Sequence, residues 1–397
     1  MTFEYARHWD LDPTIDFLNH GSYGAAPRAV LAKQQEWRRR MERQPVQFLG
    51  REARPQLEHT RAGVAAFVGC DPADLVFVTN ATTGVNTILR WLRLEPGDEL
   101  LTTSHAYGAC KNAMDATAAW TGAKVVVAEV PFPLEGEQDI VDPILAAVTP
   151  RTRIAMLDHV TSPTALVFPI ARLVRELADR GVETLVDGAH APGMVDLDIR
   201  AIGPAWYTGN GHKWLCSPKG AGFLYVRPDQ QPETRPLVIS HGATQPLDEG
   251  VSRFQKEFQW TGTQDPSAWL CLTDAIECVG GMLPGGWPAV QARNHALAAD
   301  AQGILCDALR IPRPCPEEML GSMAAVPIPD AARSAKALGW DRQQWHDTLL
   351  ERGFEVPVSD FPPGRLTLRV SCQLYNHRDQ YVRLAETMAE LLGRQAQ

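Results

Sequence analysis

The feature that most constrains this chain is an alternation of two residue patterns between about residues 75 and 226. Short apolar, β-branched runs alternate with stretches in which apolar residues recur every three to four positions. The first pattern predicts buried strands and the second predicts amphipathic helices. Together they predict a mostly parallel sheet with helices on both faces. The predicted strands cover residues 75–79, 124–130, 153–158, 183–187 and 222–226.

Residues 153–187 are the clearest βαβ unit in this pattern. Apolar residues recur at helical spacing over 170–180, after a proline and before a glycine that suit the two ends of a helix. The next strand follows at once, which predicts a right-handed crossover between parallel strands. Asp187 then lies at the carboxyl end of its strand, where open α/β sheets place their ligands.

The rest of the chain predicts a second, smaller unit. A chain of 397 residues exceeds the usual size of one hydrophobic core. After about residue 265 the pattern changes to longer helices, at 266–279 and 287–310, followed by short strands at 323–328 and 366–370. We therefore expect an N-terminal segment over residues 1–25, whose turn-rich part at 16–24 leads into the site. A large α/β domain follows over residues 26–265, and an interdomain helix with a small α+β domain over residues 266–397.

Charge and cysteine usage exclude several classes of function. The formal net charge of −9 argues against a nucleic-acid or anionic-membrane binder, because clustered Lys and Arg carry phosphate affinity. The eight cysteines show no CxxC pair and no zinc-ligand spacing with histidine, so we expect neither a disulfide framework nor a metal site. No secretory or membrane-spanning pattern is visible, which predicts a cytoplasmic protein.

Two residues suggest chemistry around a cofactor that has a basic ring nitrogen. Asp187 ends a buried-type strand and precedes small residues, although a carboxylate here could also cap the next turn. Lys213 follows among glycines, His212 and Trp214, a setting that suits an amine that must lose its proton. Lys219 is the rival lysine, and its setting is that of an ordinary loop residue.

A third element joins a strand to a helix at residues 80–86. A phosphate placed there would meet unpaired N–H groups and the positive end of the helix. Thr82 or Thr83 could instead be a simple N-cap.

In this order, the three elements resemble the class V aminotransferase family of fold-type I pyridoxal 5′-phosphate (PLP) enzymes. The resemblance covers essentially the whole chain and extends to motifs at 106–108, 160–163, 260–265 and 368–371. Residues 18–24 and 187–193 look most like the isopenicillin N epimerase branch. The resemblance implies an α/β fold with a seven-stranded, mostly parallel sheet, bound PLP and a homodimer with composite active sites.

The resemblance also implies a role for each candidate residue. Lys213 would hold PLP as a Schiff base, Asp187 would protonate the ring nitrogen, and Tyr107 would stack on the ring. The phosphate would be bound by Thr82, Thr83, His212 and Thr263, the last from the neighbouring subunit. Ser162 and His190 would orient the ring, although His190 could also be a satisfied core histidine. Arg369 would bind an α-carboxylate through two hydrogen bonds, unless it pairs with an acidic neighbour, and Tyr23 and Asn19 would complete the substrate site.

The type of reaction is less constrained than the cofactor. The cysteine that family desulfurases need shortly before the carboxylate-binding arginine is missing from residues 352–361, and Cys372 follows Arg369. The remaining reactions on an amino acid are epimerisation, β-elimination such as C–S cleavage, transamination, and oxidation by dioxygen. The resemblance ranks an epimerase-like reaction first.

Two other classes of function compete with a PLP enzyme. A non-catalytic binding protein of the same fold is disfavoured by the intact pair of Asp187 and Lys213. A dinucleotide-dependent dehydrogenase is disfavoured because no strand leads into a G-x-G-x-x-G turn.

Overall fold

The computed structural model describes residues 4–329, 339–361 and 364–393. The strands of this part are β1 (Asp16–Phe17), β2 (Leu75–Val78), β3 (Glu99–Thr103), β4 (Lys124–Ala128), β5 (Thr152–Asp158), β6 (Glu183–Gly188), β7 (Trp206–Asn210), β8 (Gly222–Val226), β9 (Met323–Pro327), β10 (Phe354–Glu355), β11 (Val358–Phe361) and β12 (Arg365–Ser371). The α-helices are α1 (His20–Tyr23), α2 (Arg28–Arg43), α3 (Pro45–Gln47), α4 (Ala53–Val68), α5 (Ala81–Trp91), α6 (Gly108–Thr121), α7 (Gln138–Ala146), α8 (Ile170–Ala178), α9 (Ile199–Ile202), α10 (Arg253–Phe258), α11 (Ser267–Leu270), α12 (Leu272–Gly280), α13 (Gly286–Leu309), α14 (Arg342–Glu351) and α15 (Arg378–Leu391).

A seven-stranded sheet forms the centre of the molecule, in the order β2-β8-β7-β6-β5-β3-β4. The pairs from β7 through β6, β5 and β3 to β4 are parallel, whereas β8 is antiparallel to both of its neighbours. The expected fold class is therefore confirmed. Two of these strands, β3 and β7, were not among the predicted ones, and β7 ends in Gly209 and Asn210, which are disfavoured in strands.

Helices cover both faces of this sheet, because successive side chains of a strand point in opposite directions. Leu185 packs into one hydrophobic cluster together with α5 and α6, while its neighbour Val186 packs into the cluster on the other face. Gly84 allows α5 to approach the sheet closely: a Cβ atom at this position would lie 2.1 Å from Thr208 Oγ1. The N-terminus of α5 is thereby held beside the carboxyl end of β7.

A smaller unit contains the three-stranded antiparallel sheet β11-β12-β9, against which α13 packs. The N-terminal segment joins this unit, since β1 pairs in parallel with β10 and the Ser371 N–H donates to Leu18 O at 2.8 Å. The helix expected at 266–279 is two helices, α11 and α12, that meet at Cys271. The division of the chain at residues 25 and 265 stays a prediction, and its outer segments include residues 1–3, 330–338, 362–363 and 394–397, which lie outside the described residues.

Two further observations limit the kinds of site that the fold contains. Over 4–329, 339–361 and 364–393, every helix is too short or too polar to cross a membrane. The same residues contain no group of three or more His, Cys, Asp or Glu side chains arranged to hold a metal ion.

Candidate active site

Lys213 lies in the loop that follows β7, at the carboxyl edge of the central sheet. Its Nζ atom is 3.0 Å from His190 Nε2. Burial, followed by the nearby charge of Arg369, lowers the pKa of the Lys213 amine to about 8. Near neutral pH, a larger share of this amine is therefore unprotonated than for a lysine with an ordinary pKa.

Trp214 determines which nitrogen of the His190 ring faces Lys213 with a hydrogen. The indole Nε1–H lies 3.4 Å from His190 Nδ1, and an indole N–H can only donate. Nδ1 is then the acceptor, and Nε2 carries the ring hydrogen. This Nε2–H can donate a hydrogen bond to Lys213 Nζ when the amine is neutral. Burial, with the charges of Lys213 and Arg369, lowers the pKa of His190, which keeps the ring neutral. His190 is thus a buried histidine that contacts the site lysine directly.

Asp187 occupies the carboxyl end of β6, as expected, and its side chain is buried. Its Oδ1 atom accepts the Ala189 N–H at 3.0 Å, and its Oδ2 atom accepts the Cys110 thiol at 3.2 Å. Both are hydrogen bonds to the charged form of the carboxyl group, which they stabilise. The structure therefore provides a buried carboxylate with lone pairs left for a further donor.

At the N-terminus of α5, some backbone N–H groups are hydrogen-bonded and others are available to a ligand. Asn80 is the N-cap, and its Oδ1 atom accepts the Thr83 N–H at 2.8 Å, so neither Thr82 nor Thr83 caps the helix. The Thr83 amide is consequently engaged, whereas in the described ranges the Thr82 N–H has no acceptor. His212 Nδ1 is buried and has no hydrogen-bond partner in the described structure. These two groups can hold a phosphate.

Arg369, on β12, is a buried cation surrounded by neutral oxygens. Its Nη1 atom donates to Ser162 O at 2.7 Å and Ser162 Oγ at 3.1 Å, and its Nη2 atom donates to Ser22 Oγ at 3.0 Å and more weakly to Asn19 Oδ1 at 3.4 Å. Its Nε atom is buried without a partner, and the described hydrogen bonds of the guanidinium all end on neutral oxygens rather than on an acidic side chain. Burial lowers its pKa to about 10, so the guanidinium stays charged near neutral pH. The alternative of an arginine paired with an acidic neighbour is therefore not supported.

Three predicted residues lie at or beyond the rim of this site. Tyr107 precedes α6 and is 45% exposed, and burial of the rest of the ring raises its pKa. Tyr23 is 75% exposed and lies close enough to Tyr107 to contribute to that increase. Thr263 is exposed and makes no hydrogen bond to the site residues of its own chain in the described structure. The structure thus brings Tyr107 and Tyr23 to the mouth of the site, whereas no hydrogen bond of the described residues connects Thr263 to it.

The N-terminal segment packs directly against the loop that contains Lys213. Gly24 has a φ of +44°, and a Cβ atom there would lie 2.0 Å from His212 O, so this approach requires a glycine. Lys219 Nζ donates to Gly24 O at 2.6 Å. Lys219 is therefore a structural clamp on this segment, rather than a free loop lysine.

Asp158 and Cys110 lie in the site but were not among its predicted residues. Asp158 is the register partner of Asp187 on the neighbouring strand. It ends a predicted strand just as Asp187 does. Its position at a strand's carboxyl end could therefore have indicated a site residue, as it did for Asp187. Nothing in the sequence pairs Cys110 with Asp187, because that contact depends on how α6 packs.

Comparison with known proteins agrees with this site. The profile of the family described as "Aminotransferase class-V" matches residues 19–343. The chain belongs to this family. It is 33% identical to isopenicillin N epimerase of Streptomyces clavuligerus, over 96% of each chain. It is also 31% identical to the probable chloroplastic L-cysteine desulfhydrase of Arabidopsis thaliana, over 98% of this chain and 85% of that protein.

A solved structure shares the fold. A variant of C-DES with glycine covalently linked to its PLP cofactor matches with a TM-score of 0.80 at 20% identity, over 97% of this chain and 99% of that chain. Members of this family use PLP, which acts as an electron sink for charge formed at a substrate carbon, and this chain is a PLP-dependent enzyme. The side chains fit the cofactor, since the site offers a buried carboxylate, an amine of lowered pKa and the unpartnered Nδ1 atom of His212.

Proposed function

We propose that this enzyme breaks a bond at the Cα atom of an amino acid, in an epimerase-like reaction. The observation that carries the proposal is the environment of Arg369. This residue is a buried cation whose Nε atom has no partner, and no carboxylate of the described residues pairs with it. A buried charge without a partner is costly, so such a site favours an anionic ligand. A planar guanidinium binds a carboxylate through two parallel hydrogen bonds.

The positions of Arg369 and Lys213 give the proposal its geometry. The Arg369 charge is close enough to contribute to the lowered pKa of the Lys213 amine. A carboxylate bound at Arg369 would therefore place the α-amino group and the Cα–H bond of an amino acid near Lys213. We infer that Lys213 would hold the cofactor covalently and that, after the substrate's amino group has displaced it, the freed Lys213 amine would move the proton at Cα, because a neutral amine can accept a proton.

The remaining residues orient the reactants in this proposal. The Asp187 carboxylate would accept a hydrogen bond from the protonated ring nitrogen, and Tyr107 would cover one face of the ring. Ser162 contacts Arg369 in this structure, which supports a role at the boundary between the ring and the substrate carboxylate. Asn19 accepts from Arg369 and could help to hold the guanidinium in place, while Tyr23 at the mouth of the site could contact the substrate side chain.

The phosphate is assigned to the N-terminus of α5. We propose that the Thr82 N–H, the Thr83 hydroxyl and His212 Nδ1 bind it. Burial lowers the pKa of His212 to about 4, so its ring is neutral and has a single N–H. A hydrogen bond to the Ala221 backbone competes for this hydrogen, so Nδ1 donates to the phosphate only in the tautomer that carries the hydrogen there. The Thr83 amide and hydroxyl both donate to Asn80 Oδ1, at 2.8 and 3.1 Å, so each would reach the phosphate only after Asn80 released it.

The choice among reactions rests on the relatives and on the cysteines. The proteins named above include an epimerase and a desulfhydrase, so epimerisation and C–S cleavage are the two leading candidates. A persulfide mechanism needs a reactive thiolate, whereas Cys372 is fully buried and burial raises its pKa to about 12. We propose epimerisation first. Transamination and oxidation by dioxygen are outcomes that the following experiment can detect.

Deuterium exchange tests the proposed reaction. The purified enzyme is incubated with a panel of L-amino acids in deuterated water, and both exchange at Cα and the ratio of enantiomers are followed. We expect exchange and formation of the D-enantiomer for at least one substrate, and neither with Lys213→Ala. Sulfide together with a 2-oxo acid would identify a C–S lyase instead, and no exchange with any amino acid would contradict chemistry at Cα altogether.

We further propose that the enzyme is a homodimer in the cytoplasm and that Thr263 completes the partner's phosphate site. Thr263 is exposed, so its side chain is accessible to a neighbouring subunit. Beside its loop lies a groove of about 550 Å³ with apolar lining that includes Val46, Leu49 and Trp260. Val46 is 72% exposed, and such an apolar surface favours association between subunits.

The cysteines support the proposed location in the cytoplasm. The buried free thiols are typical of a reducing compartment.

Complementation between two inactive variants tests the shared site. Mixed dimers of Lys213→Ala and Thr263→Ala contain one site with both native residues, so mixing should restore part of the activity. Thr261→Ala is the matched control and should be active by itself. Failure to complement after verified subunit exchange would place each site within one chain.

A further inference from the structure

The carboxylate of Asp187 has a second carboxyl group beside it. Asp158 and Asp187 are register partners on the parallel strands β5 and β6, which lie about 4.8 Å apart. Register partners in a sheet project to the same face. Each residue is only 3% exposed, so bulk solvent screens the two acids poorly.

The hydrogen bonds of the two carboxyl groups differ. Asp187 accepts two donors, the Ala189 N–H and the Cys110 thiol. Asp158 accepts the Tyr107 N–H, but its Oδ1 atom is buried without a partner among the described residues. A buried anionic oxygen without a donor is costly, whereas a protonated carboxyl group has no such charge to solvate. The surroundings therefore stabilise the charge of Asp187 more than that of Asp158.

We propose that Asp158 is a protonated, neutral carboxylic acid, and that the pair of Asp158 and Asp187 carries a single negative charge located on Asp187. Two carboxyl groups this close cannot both ionise easily. The groups that face Asp158 are Asp187, the Tyr107 amide and, at longer range, Lys213 and Cys110. Burial, followed by the charge of Asp187, raises the pKa of Asp158.

The neutral acid has a consequence for the cofactor, and this part rests on the proposed contact between Asp187 and the ring nitrogen. An ionised Asp158 would place a second negative charge beside Asp187, where a protonated ring nitrogen needs only one counter-charge. A neutral Asp158 leaves Asp187 as the anion, and the Cys110 thiol stabilises this state. Burial raises the pKa of Cys110, so its sulfur keeps the proton that it donates. Asp158 is thus a positioning residue that sets the charge at this end of the site.

Infrared spectroscopy of the holoenzyme at neutral pH measures the protonation state directly. We expect a carboxylic-acid carbonyl band that shifts after hydrogen–deuterium exchange and disappears in Asp158→Asn. Asp98→Asn is the matched control, because Asp98 is also buried but forms an ion pair with Arg153, and this variant should retain the band. The absence of such a band in the wild type, or its persistence in Asp158→Asn, would overturn the proposal.

A second variant keeps the test decisive if Asp158→Asn fails to fold. Asp187→Asn removes the neighbouring negative charge, so the pKa of Asp158 should fall and its band should titrate away at lower pH than in the wild type. An unchanged titration would show that the two acids do not share one charge. These readouts report on Asp158 whether or not the enzyme turns over an amino acid, so failure here and failure of the proposed reaction are distinguishable.

Discussion

Replacing Lys213 by alanine is expected to reduce turnover by at least about 10²–10⁴-fold, the usual contribution of a positioned group that transfers a proton. The loss follows because the variant lacks both the amine next to His190 and the proposed point of covalent attachment. Steady-state rates with the substrate found by deuterium exchange measure it, and circular dichroism verifies the fold.

Lys219→Ala is the matched control for this prediction. Lys219 is the nearby lysine of the same loop region, and its Nζ atom donates to Gly24 O, away from His190. Its removal should loosen the N-terminal segment but leave cofactor attachment intact. A Lys213→Ala enzyme within about tenfold of the wild type, or a larger loss in Lys219→Ala, would contradict the assignment of the lysine.

Arg369→Lys should retain the fold and the cofactor but weaken amino-acid binding by roughly 2–5 kcal/mol, the usual cost of misfitting one partner of a buried charge pair. A lysine cannot reproduce the forked contacts that Arg369 makes with Ser162 and Ser22, nor offer two parallel donors to a carboxylate. Titrating the variant with amino acids, while the visible band of the bound cofactor is followed, gives the affinity.

Arg365→Lys, on the same strand, is the control for Arg369→Lys. Its guanidinium donates to Phe132 O, outside the site, so this variant should bind amino acids as the wild type does. Unchanged affinity in Arg369→Lys would place the carboxylate elsewhere and remove the observation on which the proposed function depends.

The sequence predicted most strands of the central sheet, because inner strands such as β5, β6 and β8 are buried on both faces and contain continuous apolar runs. The strand ending at Asp187 is confirmed in this way. β7 was not predicted, because its end is formed by Gly209 and Asn210, whose fit depends on close neighbours: a Cβ atom at Gly209 would lie 2.6 Å from Phe223. Such tertiary contacts have no local signal in the sequence.

The site was predictable to the extent that its residues follow strand ends or lie in recognisable motifs. The structure places Lys213 beside His190 and Arg369 beside Ser162. The roles of His190, Ser162 and Arg369 had been assigned only by resemblance. It also adds contacts that depend on packing. Cys110 reaches Asp187 because α6 lies against the sheet, and Asn80, not a threonine, caps α5 through hydrogen-bond geometry that residue types alone do not distinguish.

The central claim is that Lys213 carries the cofactor, and reduction of the wild-type holoenzyme with borohydride tests it most directly. Borohydride fixes the cofactor permanently to the amine that holds it, and mass spectrometry of the digested protein then locates the modified residue. The structure predicts a pyridoxyl group on Lys213, whose amine has a pKa lowered to about 8. A pyridoxyl group on Lys219 instead, or no modified lysine, would contradict the account.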